Sequence, residues 1–337
     1  MAGDKLTGKE YCIYKPQDNS IIESKVRIPA LGPNDILIRI THSGVCNADA
    51  SFAKRGACIA LGHEGVGIVE AVGSNVTQLK VGERAGGGFH RDSCGKCHYC
   101  LSGQDILCSD RVIFGGGDVE NGTFARYYVG KDTYVHKIPD ALASEHAAPL
   151  QCAGATTYKA LKATIGPNKR VGVIGIGGLG HLAIQFAARM GASVVALSTS
   201  HDKEAEALEL GAEEFSYLDK WDLKAPLDVA ILTSSRYPDF EKLMSPKVLA
   251  RDGIVVPLTS PSGPMTLPAG SMLGNAYHIH SSMVASRAEH DEMLEFAARH
   301  GIRPVVQKYK MEGATTIQKV FEDLLANKIR YRAVIEL

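Results

Sequence analysis

Eight cysteines stand at positions 12, 46, 58, 94, 97, 100, 108 and 152, and four of them fall in one short window. Cys94, Cys97, Cys100 and Cys108 are spaced C-x2-C-x2-C-x7-C. Four thiolates this close close a tetrahedral shell around Zn²⁺ and leave no position for water or substrate, which is the pattern of a structural ion. Such an ion folds a lobe, here residues 90–110, that has little core of its own. An iron–sulfur cluster also takes four cysteines, although ferredoxin spacings differ from this one. A metal-free turn would leave four reactive thiols in an irregular loop. Other residues with chemistry are dispersed: Cys46 and Asp49 in GVCNADAS, His63 and Glu64 in LGHEGVG, and Cys152 in PLQCAGATTY. Two thiolates and an imidazole with one open position describe a catalytic zinc. Spacing alone does not bring them together, and taken by themselves they read better as buried free cysteines and a hydrogen-bonded core histidine.

A second motif needs a phosphate rather than a metal. Gly175-Ile-Gly177-Gly178-Leu179-Gly180 follows the apolar run RVGVI, opens an amphipathic stretch at His181, and is followed by the second apolar run ASVVALS. Strand, glycine turn, helix and strand in that order form a dinucleotide fingerprint, in which the backbone approaches a pyrophosphate at a helix N-terminus. At the end of the second strand an NAD enzyme carries Asp or Glu for the ribose hydroxyls. This chain has Ser198, Thr199, Ser200, His201, Asp202 and Lys203 instead. Three hydroxyls and an ammonium suit a 2′-phosphate, so NADP(H) is expected over NAD(H). The same Ser/Thr run also reads as a helix N-cap.

These sites require two kinds of scaffold. The first 150 residues alternate short apolar runs (36–45, 64–73, 124–130) with glycine turns, the texture of a β-rich domain. From Arg170 onward, apolar strands alternate with helical stretches, which predicts a doubly wound parallel sheet. A further amphipathic helix begins near residue 287, and the chain ends in the strand-like YRAVIEL. The expected class is α/β: a catalytic domain from 1–153 and 287–337 and a dinucleotide-binding domain from 154–286. At 337 residues, two domains are the default. Lys plus Arg equals Asp plus Glu at 37 each, so no net field draws the chain to nucleic acid or to an anionic membrane. The longest apolar stretch is broken by His181, Gln185 and Arg189, and MAGDKLTGKE has no apolar signal core. A cytoplasmic protein is the expectation.

Together these segments resemble the zinc-containing alcohol dehydrogenases of the medium-chain dehydrogenase/reductase superfamily, on the cinnamyl-alcohol-dehydrogenase-like branch. The resemblance runs through GVCNAD, LGHEGVG, the four-cysteine lobe, KIPDALASEHAAPLQCAGATTYKALK, VGVIGIGGLGHLAIQFA, STSHDKEAEALELGA and RYRAVIEL. It implies a GroES-like catalytic domain with an inserted Rossmann domain, and two Zn²⁺ per chain. It also implies Cys46, His63 and Cys152 as catalytic ligands, with Glu64 beside the metal. Asp49 would orient the ligating imidazole, Thr156 would lie near the nicotinamide, and Arg332 would approach the pyrophosphate. A homodimer with a contact edge near 264–281 is implied as well, with a small-molecule substrate and neither nucleic acid nor membrane as partner.

Two positions depart from the family. Its members carry Ser or Thr two residues after the first zinc cysteine and His three further on, and these pass a proton to solvent. This chain has Ala48 and Ser51 there. The segment between Cys46 and His63 is also shorter than in relatives. Family frequency points to NADPH-dependent reduction of an aldehyde or ketone carbonyl, or the reverse oxidation of an alcohol. Ala48 points toward hydride addition to an activated C=C or C=N bond, which leaves no alkoxide needing that hydroxyl.

Overall fold

The computed structural model describes residues 6–18 and 20–337. The described residues divide into two compact units, one running up to Cys152 and resuming at Ala285, and one of residues 153–284.

The first unit is organised by one long strand, Asp35–Val45, in a seven-stranded sheet. Alternation along DILIRITHSGV sends successive side chains to opposite faces. Ile36, Ile38 and Ile40 join Val69, Ala85 and Tyr128 in one core cluster, whereas Leu37 joins Ile28, Ala71 and Tyr127 in another. Each fully buried isoleucine contributes about 1.5–3 kcal/mol. One edge of this strand pairs with Glu64–Val72, and the other is shared by two partners. Tyr127–Lys131 takes the first half and Arg332–Glu336 the second. The register sets Glu64 opposite Gly44 and Ala333 opposite Val45, so Glu64 and Arg332 flank the strand end at which Cys46 follows. A short antiparallel pair, His90–Asp92 with Val112–Ile113, closes the base of the cysteine lobe. Glu10–Gln17 and Ser20–Arg27 add an antiparallel ladder that the sequence reading did not anticipate.

The second unit holds a six-stranded sheet with every neighbouring pair parallel. Its order is Glu214–Tyr217, Ser193–Ser198, Arg170–Ile174, Leu227–Leu232, Leu249–Pro257 and His278–Ile279. Numbered along the chain this is 3-2-1-4-5-6, and the switch point lies between Arg170–Ile174 and Leu227–Leu232. Strand residues such as Val171, Val173, Val195, Leu197 and Ile231 are fully buried, as a parallel sheet covered on both faces requires. Helix Gly180–Arg189 lays Leu182, Ile184 and Phe186 into the interior, with Tyr158 edge-on to Phe186 at 5.5 Å.

Two expected segments differ, the apolar run 124–130 and the contact edge near 264–281. In 124–130 the ladder begins only at Tyr127, because Thr123 and Phe124 instead donate their backbone N–H groups to Gly62 and Leu61. In 264–281, Pro268 starts the helix Ala269–Asn275, and only His278–Ile279 pairs with the sheet. Among the described residues no helix is long and apolar enough to cross a membrane.

Candidate metal centres and dinucleotide loop

Cys46 ends the central strand and starts helix Asn47–Lys54, whose third residue is Asp49. An acidic side chain at that place reaches back to the backbone at the helix start. Asp49 does so, accepting from Cys46 N at 3.1 Å, and it also accepts from Gly62 N at 3.0 Å. Its third contact is His63 Nδ1 at 3.1 Å. One fully buried carboxylate therefore ties the segment bearing Cys46 to the segment bearing His63. Because the carboxylate accepts, Nδ1 carries a hydrogen, which leaves Nε2 as the ring nitrogen open to a proton or a metal. That Nε2 is buried and has no hydrogen-bond partner among the described residues.

What faces it is a donor set. One ligand atom each of Cys46, His63, Glu64 and Cys152 lies within 4.8 Å of the others. Cys152 arrives on the π-helical turn Leu150–Gly154, a form of turn concentrated at functional sites. Burial alone would lower the pKa of His63, but the Asp49 carboxylate and the Cys46 sulfur outweigh it and hold the imidazole at about 10. The Cys152 thiol and then His63 push Cys46 well below the ordinary cysteine range, against burial. The pocket thus favours a thiolate at Cys46 and positive charge at His63 Nε2, a place that a proton or a metal cation fills equally.

Burial raises Glu64 to about 7 while Arg332 pulls it down. Arg332 Nη2 donates to both carboxylate oxygens of Glu64. The pair crosses directly over Gly44, where a Cβ would overlap the Glu64 carboxylate. Arg332, expected at a pyrophosphate, is here engaged with Glu64, and its Nε is buried without a partner among the described residues. The imidazole of His63 stacks on Phe114 at 4.4 Å, with Phe89 edge-on at 5.7 Å. Sequence reasoning missed both rings, since nothing in a run of 25 or 50 residues marks a cross-lobe stack. Ala48 is half-buried and Ser51 exposed on the same helix.

In the lobe, Cys94 and Cys108 sulfurs are 3.5 Å apart, Cys97 and Cys100 3.6 Å, and Cys94 and Cys100 3.9 Å. A tetrahedron with Zn–S arms of about 2.3 Å has edges of about 3.8 Å, close to these three separations, and all four sulfurs lie within 4.8 Å of one another. The backbone N–H groups of Lys96 and Cys97 are aimed at Cys94 and hold its thiol at about 7. Ser93 Oγ lies 3.2 Å from Cys100 Sγ and 2.6 Å from Tyr134 Oη, fastening the lobe to the strand region beneath it. A third group, His42, Glu145 and Glu336, also gathers ligand atoms. Its cation position is taken by Lys308, whose ammonium lies 3.0 and 3.2 Å from the two carboxylates.

In the second unit Gly175 has φ of +95°, a conformation that glycine alone adopts freely. A Cβ at Gly180 would collide with the carbonyl of Gly175, whereas one at Gly177 would meet nothing within 4 Å. The loop is packed on its inner side and open at Gly177, the cradle a pyrophosphate requires. Lys203 Nζ donates to Ile176 O at 2.7 Å, which sets its ammonium against this loop. Ser198 Oγ accepts from Ser200 N at 3.0 Å, and Ser200 Oγ donates to Asp202 at 2.6 Å. Thr199 is exposed, Gly178 and Leu179 are half-buried at the helix start, and Thr156 lies in the first turn of helix Ala155–Thr164.

The chain is similar to known dehydrogenases. The family description "Alcohol dehydrogenase GroES-like domain" matches residues 32–140, and "Zinc-binding dehydrogenase" matches residues 178–299. A "Probable formaldehyde dehydrogenase" of Bacillus subtilis is 41% identical, covering 91% of this chain and 91% of its own. An "NADP-dependent alcohol dehydrogenase C 1" of Mycolicibacterium smegmatis is 36% identical with the same coverage of both chains, 91% each. Among solved structures, a cinnamyl alcohol dehydrogenase from Sorghum bicolor superposes with a TM-score of 0.88 at 31% identity, over 97% of this chain and 98% of that one.

Proposed function

The chain belongs to the zinc-containing alcohol dehydrogenases, on their cinnamyl-alcohol-dehydrogenase-like branch, and as such is an alcohol/carbonyl oxidoreductase; from that premise we propose that it is an NADPH-dependent zinc enzyme with two Zn²⁺ per chain. One observation carries the reading: His63 Nε2 is buried, makes no hydrogen bond among the described residues, and faces a group formed by Cys46, Glu64 and Cys152. Cys46, His63 and Cys152 would hold the catalytic ion, with Glu64 at its side, and Cys94, Cys97, Cys100 and Cys108 the structural one. When bound, zinc supplies a Lewis acid for a carbonyl oxygen and the nicotinamide a hydride for the carbonyl carbon.

The protein's own residues do the rest. Asp49 holds the His63 ring in the tautomer that leaves Nε2 free, a support whose loss ordinarily costs about 10–100-fold in metal affinity. Arg332 neutralises Glu64, so the ligand pocket is not burdened with an unpaired carboxylate. Phe114 and Phe89 wall the imidazole and exclude water from its face. Ala48 has no hydroxyl, so the proton that completes carbonyl reduction comes from water entering beside helix Asn47–Lys54, where Ser51 is exposed. The short segment between Cys46 and His63 supports that entry. Reduction of C=C or C=N bonds finds no support among the relatives, which are named for alcohol, aldehyde and ketone chemistry.

The preference for NADP(H) rests on Ser198, Thr199, Ser200 and Lys203 at the end of the second strand, and on the name of the Mycolicibacterium relative. A cytoplasmic homodimer completes the reading. Its support is the outer strand His278–Ile279, which pairs only with Leu249–Pro257 among the described strands, beside a helix with no buried residue. Turnover of an aldehyde with 4-deuterated NADPH tests the reaction. Deuterium on the carbon bearing the new hydroxyl is expected, and deuterium on any other carbon contradicts it.

A further inference from the structure

The residue before Cys152 is Gln151, whose side chain is almost wholly buried. Its Nε2 donates to Ala147 O at 3.0 Å, the carbonyl four residues back that an α-helix would give to the Gln151 N–H. With the amide nitrogen spent there, Oε1 is the atom that faces His290 Nε2 at 3.1 Å. An amide oxygen only accepts, so His290 is the donor and carries its hydrogen on Nε2. The contact spans 139 positions and joins the turn Leu150–Gly154 to helix Arg287–His300.

That helix is a firm post. Ser286 and Glu289 form a reciprocal cap at its start, Arg287 N donates to the buried Asp105 at 3.3 Å, and Met293 and Leu294 are buried along its inner face. His290 itself is fixed by a second ring: His136 stacks on it at 3.9 Å with an interplanar angle of 6°, and His136 Nδ1 donates to Asp291 at 2.7 Å. Burial, then the neighbouring His136 and His90, keep His290 neutral far below neutral pH, so the donor tautomer persists.

We propose that His290 is a positioning residue for the catalytic metal: through Gln151 it holds the π-helical turn so that the Cys152 sulfur stays aimed at Cys46 and His63. A hydrogen bond to a buried amide suits this task, because it pins the residue next to Cys152 from outside the helical run in which the π-helical turn lies. The inference rests on the reading that Cys46, His63 and Cys152 hold zinc.

The test measures zinc release to a chromogenic chelator alongside zinc content and thermal midpoint. His290→Phe keeps a ring against His136 and removes the donor; His290→Gln restores a donor at the same reach. Wild-type protein is expected to hold two ions, and the Phe variant to lose one of them about 10-fold faster, with the lobe ion unaffected. The Gln variant is expected to return the rate toward wild type. A Phe variant with a lowered midpoint but unchanged release would overturn the proposal, as would a Gln variant that releases as fast as Phe. If the Phe variant does not fold, His290→Met takes its place as the variant lacking the donor, with faster release supporting the proposal and wild-type release contradicting it. A wild-type protein holding one ion only would instead remove the metal-site reading itself.

Discussion

Asp49, Glu64 and Arg332 show how much of this site is charge management beneath the ligands. Glu64 is completely buried, and its carboxylate is tolerable only because the Arg332 guanidinium lies on it. Removing one member of a buried pair leaves the other uncompensated, at a cost of about 3–5 kcal/mol. Arg332→Met should therefore lower the urea-unfolding free energy by that order, and adding Glu64→Gln should recover most of it. Additive losses would mean that the two side chains are not energetically coupled. None of this pairing was legible in the sequence, where the partners stand 268 positions apart. Only the register of two strands against Asp35–Val45 brings them together.

At the scale of elements, local pattern was informative wherever a motif closes within a few residues. The lobe is of this kind, since C-x2-C-x2-C-x7-C confines four sulfurs to one loop, and the glycine turn is another. The ladder Glu10–Gln17 with Ser20–Arg27 was not legible, because its residues are mostly half-buried or exposed and carry no clean alternation. The histidines around the lobe were equally silent. His90 is buried, with Asp105 3.9 Å from its Nδ1 as a long ion-pair contact, and burial outweighs that carboxylate and lowers its pKa to about 4. The unfolded chain then binds the proton more tightly than the folded one. Stability is complete above pH 6.5 and is lost as pH falls from there toward 4. The drop from 6.5 to about 4 corresponds to about 3 kcal/mol. His90→Phe, which keeps an aromatic ring beside Tyr134, should unfold in urea with a flatter dependence on pH over that window. An equally steep acid loss in the variant would place the titrating group elsewhere.

For the molecule as a whole, the order of segments was readable because the βαβ texture interrupts a β-rich chain that resumes at the end. The second unit of residues 153–284 has the 3-2-1-4-5-6 order that binds dinucleotides outside its strand ends. A ligand that binds only the folded state adds about 2.7 kcal/mol at 100 times its dissociation constant. NADPH should therefore raise the thermal midpoint clearly more than NADH at equal concentration, and Lys203→Glu should abolish the difference. Equal shifts from both cofactors would refute the 2′-phosphate assignment. What the sequence withheld was the convergence of Cys46, His63 and Cys152, which no spacing encodes and which the resemblance alone supplied. The most direct test of that convergence is zinc per chain by elemental analysis of the wild type and of Cys46→Ser, with NADPH-dependent aldehyde reduction followed on the same samples. The account predicts two ions in the wild type, one in the variant, and reduction lost with the missing ion. One ion in both proteins, or full turnover in the variant, would contradict it.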